Sequence, residues 1–249
     1  MTPQIPKNPK KIYLKKIRIS KTLDLAASCS SDNSVVLLDG IYDAMLEKLR
    51  AEGGYVCNAD EKTALRNTLW DDELHINTAM VAQPPEKIAQ MAGLTIPEGV
   101  QFFIVLEDGY GPEHPFSGEK LSVIMALYRA RDIDHAIELT RHIQAYQGQG
   151  HSCGIYSNND HNIMKVAENT YTSRVMVNQP QSASNSGNVW NGMRQTFSLG
   201  CGSWGGNGTN NNISWRDLIN ETWVSLPLAE PKVIPSDEEL FGDVIGQLG

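Results

Sequence analysis

The sequence predicts an α/β fold of three layers, αβα, in which a mostly parallel sheet is covered on both faces by helices. Two observations predict it. Short apolar runs rich in β-branched residues alternate with segments of helical period that are ten or more residues long, and parallel strands need crossovers of about that length. The 249 residues, with 41% hydrophobic content, are enough to bury a sizeable core, and one domain accounts for the pattern better than two small ones.

Each element has its own signal. Residues 1–21 carry Lys7, Lys10, Lys11, Lys15, Lys16, Arg18 and Lys21 without one acid and read as a solvated basic arm, of which residues 1–14 form a separate tail. Ser34–Leu38 reads as a strand, and Ile41–Ala51, stopped by Gly53-Gly54, as a helix. Further helices are predicted over Asp60–Trp70 and over Pro85–Ala92, the latter with proline early and Gly93 just past its end. Gln101–Leu106 is a buried strand, followed by a loop to Gly118 and a strand over Leu121–Tyr128. Asp132 can cap the next helix, which runs through Ile143 to Gly148. A strand at Gly154–Ser157, a helix from near Asp160 and a strand at Ser173–Asn178 complete the alternation. Residues 179–212, rich in Gly, Asn and Ser, are too long for a simple connector and read as a structured loop beside a site. The body of the domain is placed at 15–228, and the acidic, proline-containing end at 229–249 is peripheral.

Charge and composition exclude several classes of function. The net charge is -8, and beyond the basic arm the chain is acidic, which repels polyanions; no nucleic-acid partner is expected. No stretch approaches the length of a transmembrane helix and the first residues lack a signal-peptide pattern, so a cytoplasmic protein without a membrane partner is expected. Cys29, Cys57, Cys153 and Cys201 are scattered without a C-x-x-C pair, which indicates neither a metal site nor a disulfide framework.

Four segments carry possible chemistry. Cys29, among small polar residues just before the Ser34 strand, is placed where a thiol can be exposed and where successive backbone N–H groups can stabilise a thiolate. Glu119, just before another strand, could accept from a pair of ribose hydroxyls. His151, in Gly148-Gln149-Gly150-His151, sits where a helix gives way to a strand and could trade protons near neutral pH. Gly200-Cys201-Gly202-Ser203-Trp204-Gly205 satisfies G-x-G-x-x-G literally, but it opens no amphipathic helix and lacks a P-loop ending; it reads as backbone passing close to something else, with Cys201 as a second possible nucleophile. Residue type alone leaves an inert structural role open for every one of them.

Taken in order, Ser28-Cys29-Ser30-Ser31-Asp32-Asn33-Ser34, Glu119-Lys120-Leu121-Ser122, Gly148-Gln149-Gly150-His151-Ser152 and Leu199-Gly200-Cys201-Gly202-Ser203-Trp204-Gly205-Gly206-Asn207 resemble the CoA-acylating aldehyde dehydrogenases. The resemblance runs from about Ile17 to Leu226, includes Ile76–Val81 and Gly111–Phe116, and covers the family's C-terminal catalytic domain; Met1–Leu14 match nothing in it. It implies that Cys29 is the nucleophile, which adds to an aldehyde, gives up a hydride to NAD or NADP from the adduct, and passes the acyl group from a thioester to coenzyme A. It implies that Glu119 binds the ribose next to the nicotinamide and that His151 serves in proton handling or CoA exchange. The family's dinucleotide-binding half has no counterpart in these residues, so the chain alone is expected to show no appreciable dehydrogenase activity. The alternative is a non-catalytic binding or assembly module, a homo-oligomer or the partner of a cofactor-binding domain. A Cys29–His151 hydrolase ranks last. By resemblance to the family's sulfoacetaldehyde branch the expected aldehyde is sulfoacetaldehyde, with succinate semialdehyde second, and Arg194 would bind its anionic group.

Overall fold

Phe102–Leu106 and Ile124–Ala130 are the apolar runs from which the core grows, and the computed structural model, which describes residues 9–245, pairs them as neighbouring parallel strands. In chain order the elements are α1 (Pro9–Thr22), β1 (Ser34–Leu38), α2 (Tyr42–Ala51), β2 (Gly54–Val56), α3 (Ala59–Leu69), α4 (Pro85–Ala92), β3 (Phe102–Leu106), β4 (Ile124–Ala130), α5 (Ile133–Tyr146), β5 (Cys153–Ile155), α6 (Asp160–Asn169), β6 (Val175–Val177), α7 (Gln181–Ser184) and α8 (Asp237–Ile245). The strands form two parallel sheets, a four-stranded one ordered β1-β4-β3-β2 and a two-stranded one of β5 and β6. The α/β class is therefore as predicted. Ala126 of β4 lies opposite Ser34 on one side and Val105 on the other. Phe102 to Val105 and Ile124 to Leu127 are fully buried, and each large apolar side chain so placed contributes about 1.5–3 kcal/mol.

Short-range chemistry sets the helix ends. Asn58 Oδ1 accepts from the Glu61 N–H at 3.0 Å while Glu61 Oε2 accepts from the Asn58 N–H at 2.8 Å, a reciprocal cap on α3. Asp132 Oδ1 accepts from the His135 N–H at 2.9 Å and starts α5. β4 begins at Ile124 rather than Leu121, because Leu121 adopts φ +45° and turns its carbonyl to the Ala82 N–H at 2.9 Å.

The basic arm is not a solvated tail over its described part. It forms α1, in which Ile17, Ser20 and Lys21, at helical spacing, are buried, while Lys16 Nζ donates to the Asn178 carbonyl at 2.7 Å and Arg18 Nε pairs with Glu52 at 2.9 Å. Charge count misleads here because one small stripe along the helix suffices to dock it. Residues 1–8 of the expected tail lie outside the described residues, as do residues 246–249 of the acidic end.

The chain divides at Ser214 and Trp215 into two compact units. The first holds both sheets. The second contains a 3-10 turn at Trp215–Leu218 and α8, which Ser236 caps by accepting from the Glu239 N–H at 3.3 Å. No described helix is long and apolar enough to cross a membrane.

Candidate active site

The approach to Cys29 is unusual backbone. After α1 the chain passes through Asp24, Leu25 and Ala26 at φ +50°, +50° and +62°, a left-handed run that costs about 1–2 kcal/mol per residue and persists only where the surroundings impose it. A turn follows in which the Ser31 N–H donates to the Ser28 carbonyl at 2.9 Å. Cys29 occupies this turn and is exposed. Its neighbours are tied down: Ser31 Oγ donates to the Ser20 carbonyl at 3.4 Å and Ser30 Oγ to the Ser182 carbonyl at 3.5 Å.

A cleft of about 890 Å³ brings Cys29, Glu119, His151 and Cys201 together from four distant segments. His151 Nε2 lies 3.1 Å from Cys29 Sγ, and its Nδ1 lies 2.9 Å from Ser152 Oγ. The tautomer with its proton on Nδ1, donated to Ser152, leaves the Nε2 lone pair facing the thiol. Burial, aided by the Arg174 guanidinium, holds His151 below the usual imidazole range. Burial pushes the Cys29 thiol up, and the nearby Glu119 and Cys201 add to this, while the backbone N–H groups of Cys29 and Ser30 oppose it. Both shifts favour a neutral thiol beside a neutral imidazole at rest, a pair in which the imidazole can take the proton when the sulfur attacks. Glu119, half-buried, has its carboxyl raised by burial against the opposing pull of Lys120 and Lys21, and its N–H donates to Gln147 Oε1 at 2.8 Å.

The two glycine-rich segments explain each other. A Cβ on Gly150, which has φ +84°, would overlap the Cys201 carbonyl oxygen and the Gly205 amide nitrogen, so backbone packs directly on backbone there. The close approach expected of the Gly200–Gly205 segment is this contact. The loop is a hairpin, with the Gly200 N–H on the Asn211 carbonyl and the Gly202 N–H on the Thr209 carbonyl, each at 2.9 Å, and the Cys201 N–H donates to Asn207 Oδ1 at 2.8 Å.

Arg194 is not brought into the cleft. Its carbonyl accepts from Asn212 Nδ2 at 2.8 Å, which fixes the loop, and its exposed side chain reaches Ser214 Oγ at 3.5 Å instead. Sequence reasoning also missed Arg174, which is buried beside the site with Nη1 donating to the His151 carbonyl at 3.2 Å. The signal available was a lone guanidinium at the head of the apolar run Val175-Met176-Val177.

The fold is that of the aldehyde dehydrogenases. The crystal structure of an acetylating aldehyde dehydrogenase from Geobacillus thermoglucosidasius matches with a TM-score of 0.85 and 29% identity, over 90% of this chain and 49% of that one. The sulfoacetaldehyde dehydrogenase (acylating) of Cupriavidus necator is 39% identical over 236 residues, 94% of this chain and 47% of its own length. A sulfoacetaldehyde dehydrogenase from an Acholeplasma species is likewise 39% identical, over 94% of this chain and 49% of its own. No protein-family model matches. The chain is homologous to the CoA-acylating aldehyde dehydrogenases and spans about half the length of the curated relatives it matches.

Proposed function

We propose that this chain carries the acyl-transfer centre of a CoA-acylating aldehyde dehydrogenase, with Cys29 as nucleophile, His151 as its proton acceptor and Glu119 as the acid that holds the cofactor ribose. The 3.1 Å approach of His151 Nε2 to Cys29 Sγ carries this reading. As Cys29 Sγ bonds to an aldehyde carbon, its proton passes to Nε2, and the imidazolium can return a proton to the carbonyl oxygen as it becomes a hydroxyl. NAD or NADP, when bound, would supply the acceptor for the hydride, while His151 Nε2 takes the hydroxyl proton and passes it to solvent as the adduct becomes a thioester. Glu119 fits such a cofactor, since a half-buried carboxylate on the wall that also holds Cys29 can accept from two adjacent hydroxyls. The thioester is then resolved by the thiol of coenzyme A: its sulfur bonds to the acyl carbon, the bond to Cys29 breaks, and His151 accepts the thiol proton.

Sulfoacetaldehyde is the first aldehyde to try, on the names of the relatives, and succinate semialdehyde the second. The chain spans about half the length of its relatives, and on this reading the 249-residue chain alone makes no appreciable NADH from aldehyde and CoA. A second reading, an assembly module in an oligomer or with a cofactor-binding domain, is favoured by Trp223 and Val233, which are 91% and 90% exposed.

Acyl exchange tests the reading without a redox step. Incubated with an acyl-CoA, the chain should gain one acyl mass on Cys29 that excess free CoA removes, and Cys29→Ser should gain none. Acylation confined to another cysteine, or equal in Cys29→Ser, would contradict it.

A further inference from the structure

We propose that Arg174 is a positioning residue whose guanidinium holds His151 and the Gly-rich hairpin in the arrangement that sets the imidazole against Cys29; this rests on the reading of Cys29 and His151 given above. Arg174 stands immediately before β6 and is 4% exposed. Its Nε donates to Asn212 Oδ1 at 2.7 Å, Nη1 to the His151 carbonyl at 3.2 Å, and Nη2 to the carbonyls of Gly200, Asn210 and Asn211 at 2.9, 3.2 and 3.0 Å. One rigid fork thus fastens both strands of the hairpin that carries Cys201 and the turn that carries His151.

Three further observations fit this role. Asn212, itself buried, passes the constraint on through Nδ2, which donates to the carbonyls of Asn185 and Arg194 at 2.9 and 2.8 Å. The backbone contact of Gly150 with Cys201 and Gly205 leaves no slack between turn and hairpin, so a shift in one moves the other. These five acceptors are neutral, so the guanidinium charge is not spent on a carboxylate among them and adds to the field of the cleft. The groups facing the thiol are then His151, Glu119, Cys201 and this buried cation. Lysine cannot substitute, because a single ammonium has three donors at one point and cannot span Asn212, His151 and Gly200 together.

The test is the rate of Cys29 alkylation by iodoacetamide against pH, followed by peptide mass, in the intact 249-residue chain and in H151A, R174Q and R174K. If Arg174 acts through His151, H151A should lower the rate near pH 7 by about tenfold, equivalent to roughly one unit of thiol pKa. R174Q should follow the H151A profile, and R174K should fall between R174Q and the wild type, with unchanged far-ultraviolet dichroism. A merely structural role would lower the melting temperature without moving the pH profile. A wild-type profile in R174Q overturns the proposal, as does one in R174K should R174Q fail to fold. A wild-type profile in H151A removes the underlying reading as well, whereas an altered H151A profile with unaltered Arg174 variants removes this proposal alone.

Discussion

His151 Nε2 and Cys29 Sγ are 3.1 Å apart although 122 positions separate them in the chain. Neither residue is stationed by its own element alone. Cys29 is held by a left-handed run and a serine turn, His151 by a glycine turn pressed on a second glycine loop. The consequences can be measured.

Glu119→Gln should accelerate alkylation of Cys29 severalfold at fixed pH between 7 and 8. The Glu119 charge raises the Cys29 pKa, so its removal lowers that pKa and increases the thiolate fraction, while burial, the larger cause, remains. A slower rate would mean that Glu119 does not sense the thiol electrostatically.

Gly150→Ala and Gly148→Ala form a matched pair. Both glycines have positive φ, at +84° and +98°, but a Cβ on Gly148 meets nothing within 4 Å. Gly148→Ala should therefore cost about 1–2 kcal/mol of stability from backbone strain alone. Gly150→Ala adds overpacking and should cost about 3 kcal/mol or more, with slower Cys29 chemistry. Equal losses in thermal unfolding would contradict the backbone-on-backbone contact.

Lys21→Met should raise the melting temperature, most of all below neutrality. Lys21 is buried without a hydrogen-bond partner for Nζ among the described residues, and burial lowers its pKa to about 7 despite Asp32 and Glu119 nearby. Because the folded pKa lies below the unfolded one, the wild type carries the whole penalty of the buried ammonium below pH 7 and sheds it as the pH rises towards the unfolded value of about 10.4. The gain in Lys21→Met should be of order 1 kcal/mol or more at pH 6 and should fade by about pH 10. A gain that grows with pH would reverse the sign and refute the assignment.

Arg194→Ala should leave acylation of Cys29 by an acyl-CoA unchanged, since the side chain turns to Ser214 outside the cleft. A marked loss of acylation would restore Arg194 to the site.

Several of these relationships were legible in the sequence and others were not. The Asp132 cap, the Pro85 start of α4 and the apolar run of β3 are local signals, and each element stands close to its expected place. β2 was hidden because three residues, Gly54–Val56, carry no periodicity; their strand character comes from lying beside Phe102–Ile104. α1 was hidden by its charges. The division of the strands into two sheets depends on packing between distant segments, to which no local pattern responds. At the site, Cys29, Glu119 and His151 could be nominated by residue type and by order along the chain, and the cleft gathers all three. Arg174 offered only the weak signal of a lone guanidinium before an apolar run, because four of its five acceptors are backbone carbonyls, which leave no mark on the sequences it holds.

The most direct measurement is the order in which the four thiols react with limiting iodoacetamide at neutral pH. Cys57 and Cys153 are buried and Cys201 is half-buried, whereas Cys29 is exposed and backed by an imidazole. Peptide mapping should find Cys29 modified first and by a wide margin, with the margin over Cys201 narrowed in His151→Ala. Modification of Cys201 or any other thiol ahead of Cys29 would contradict the account.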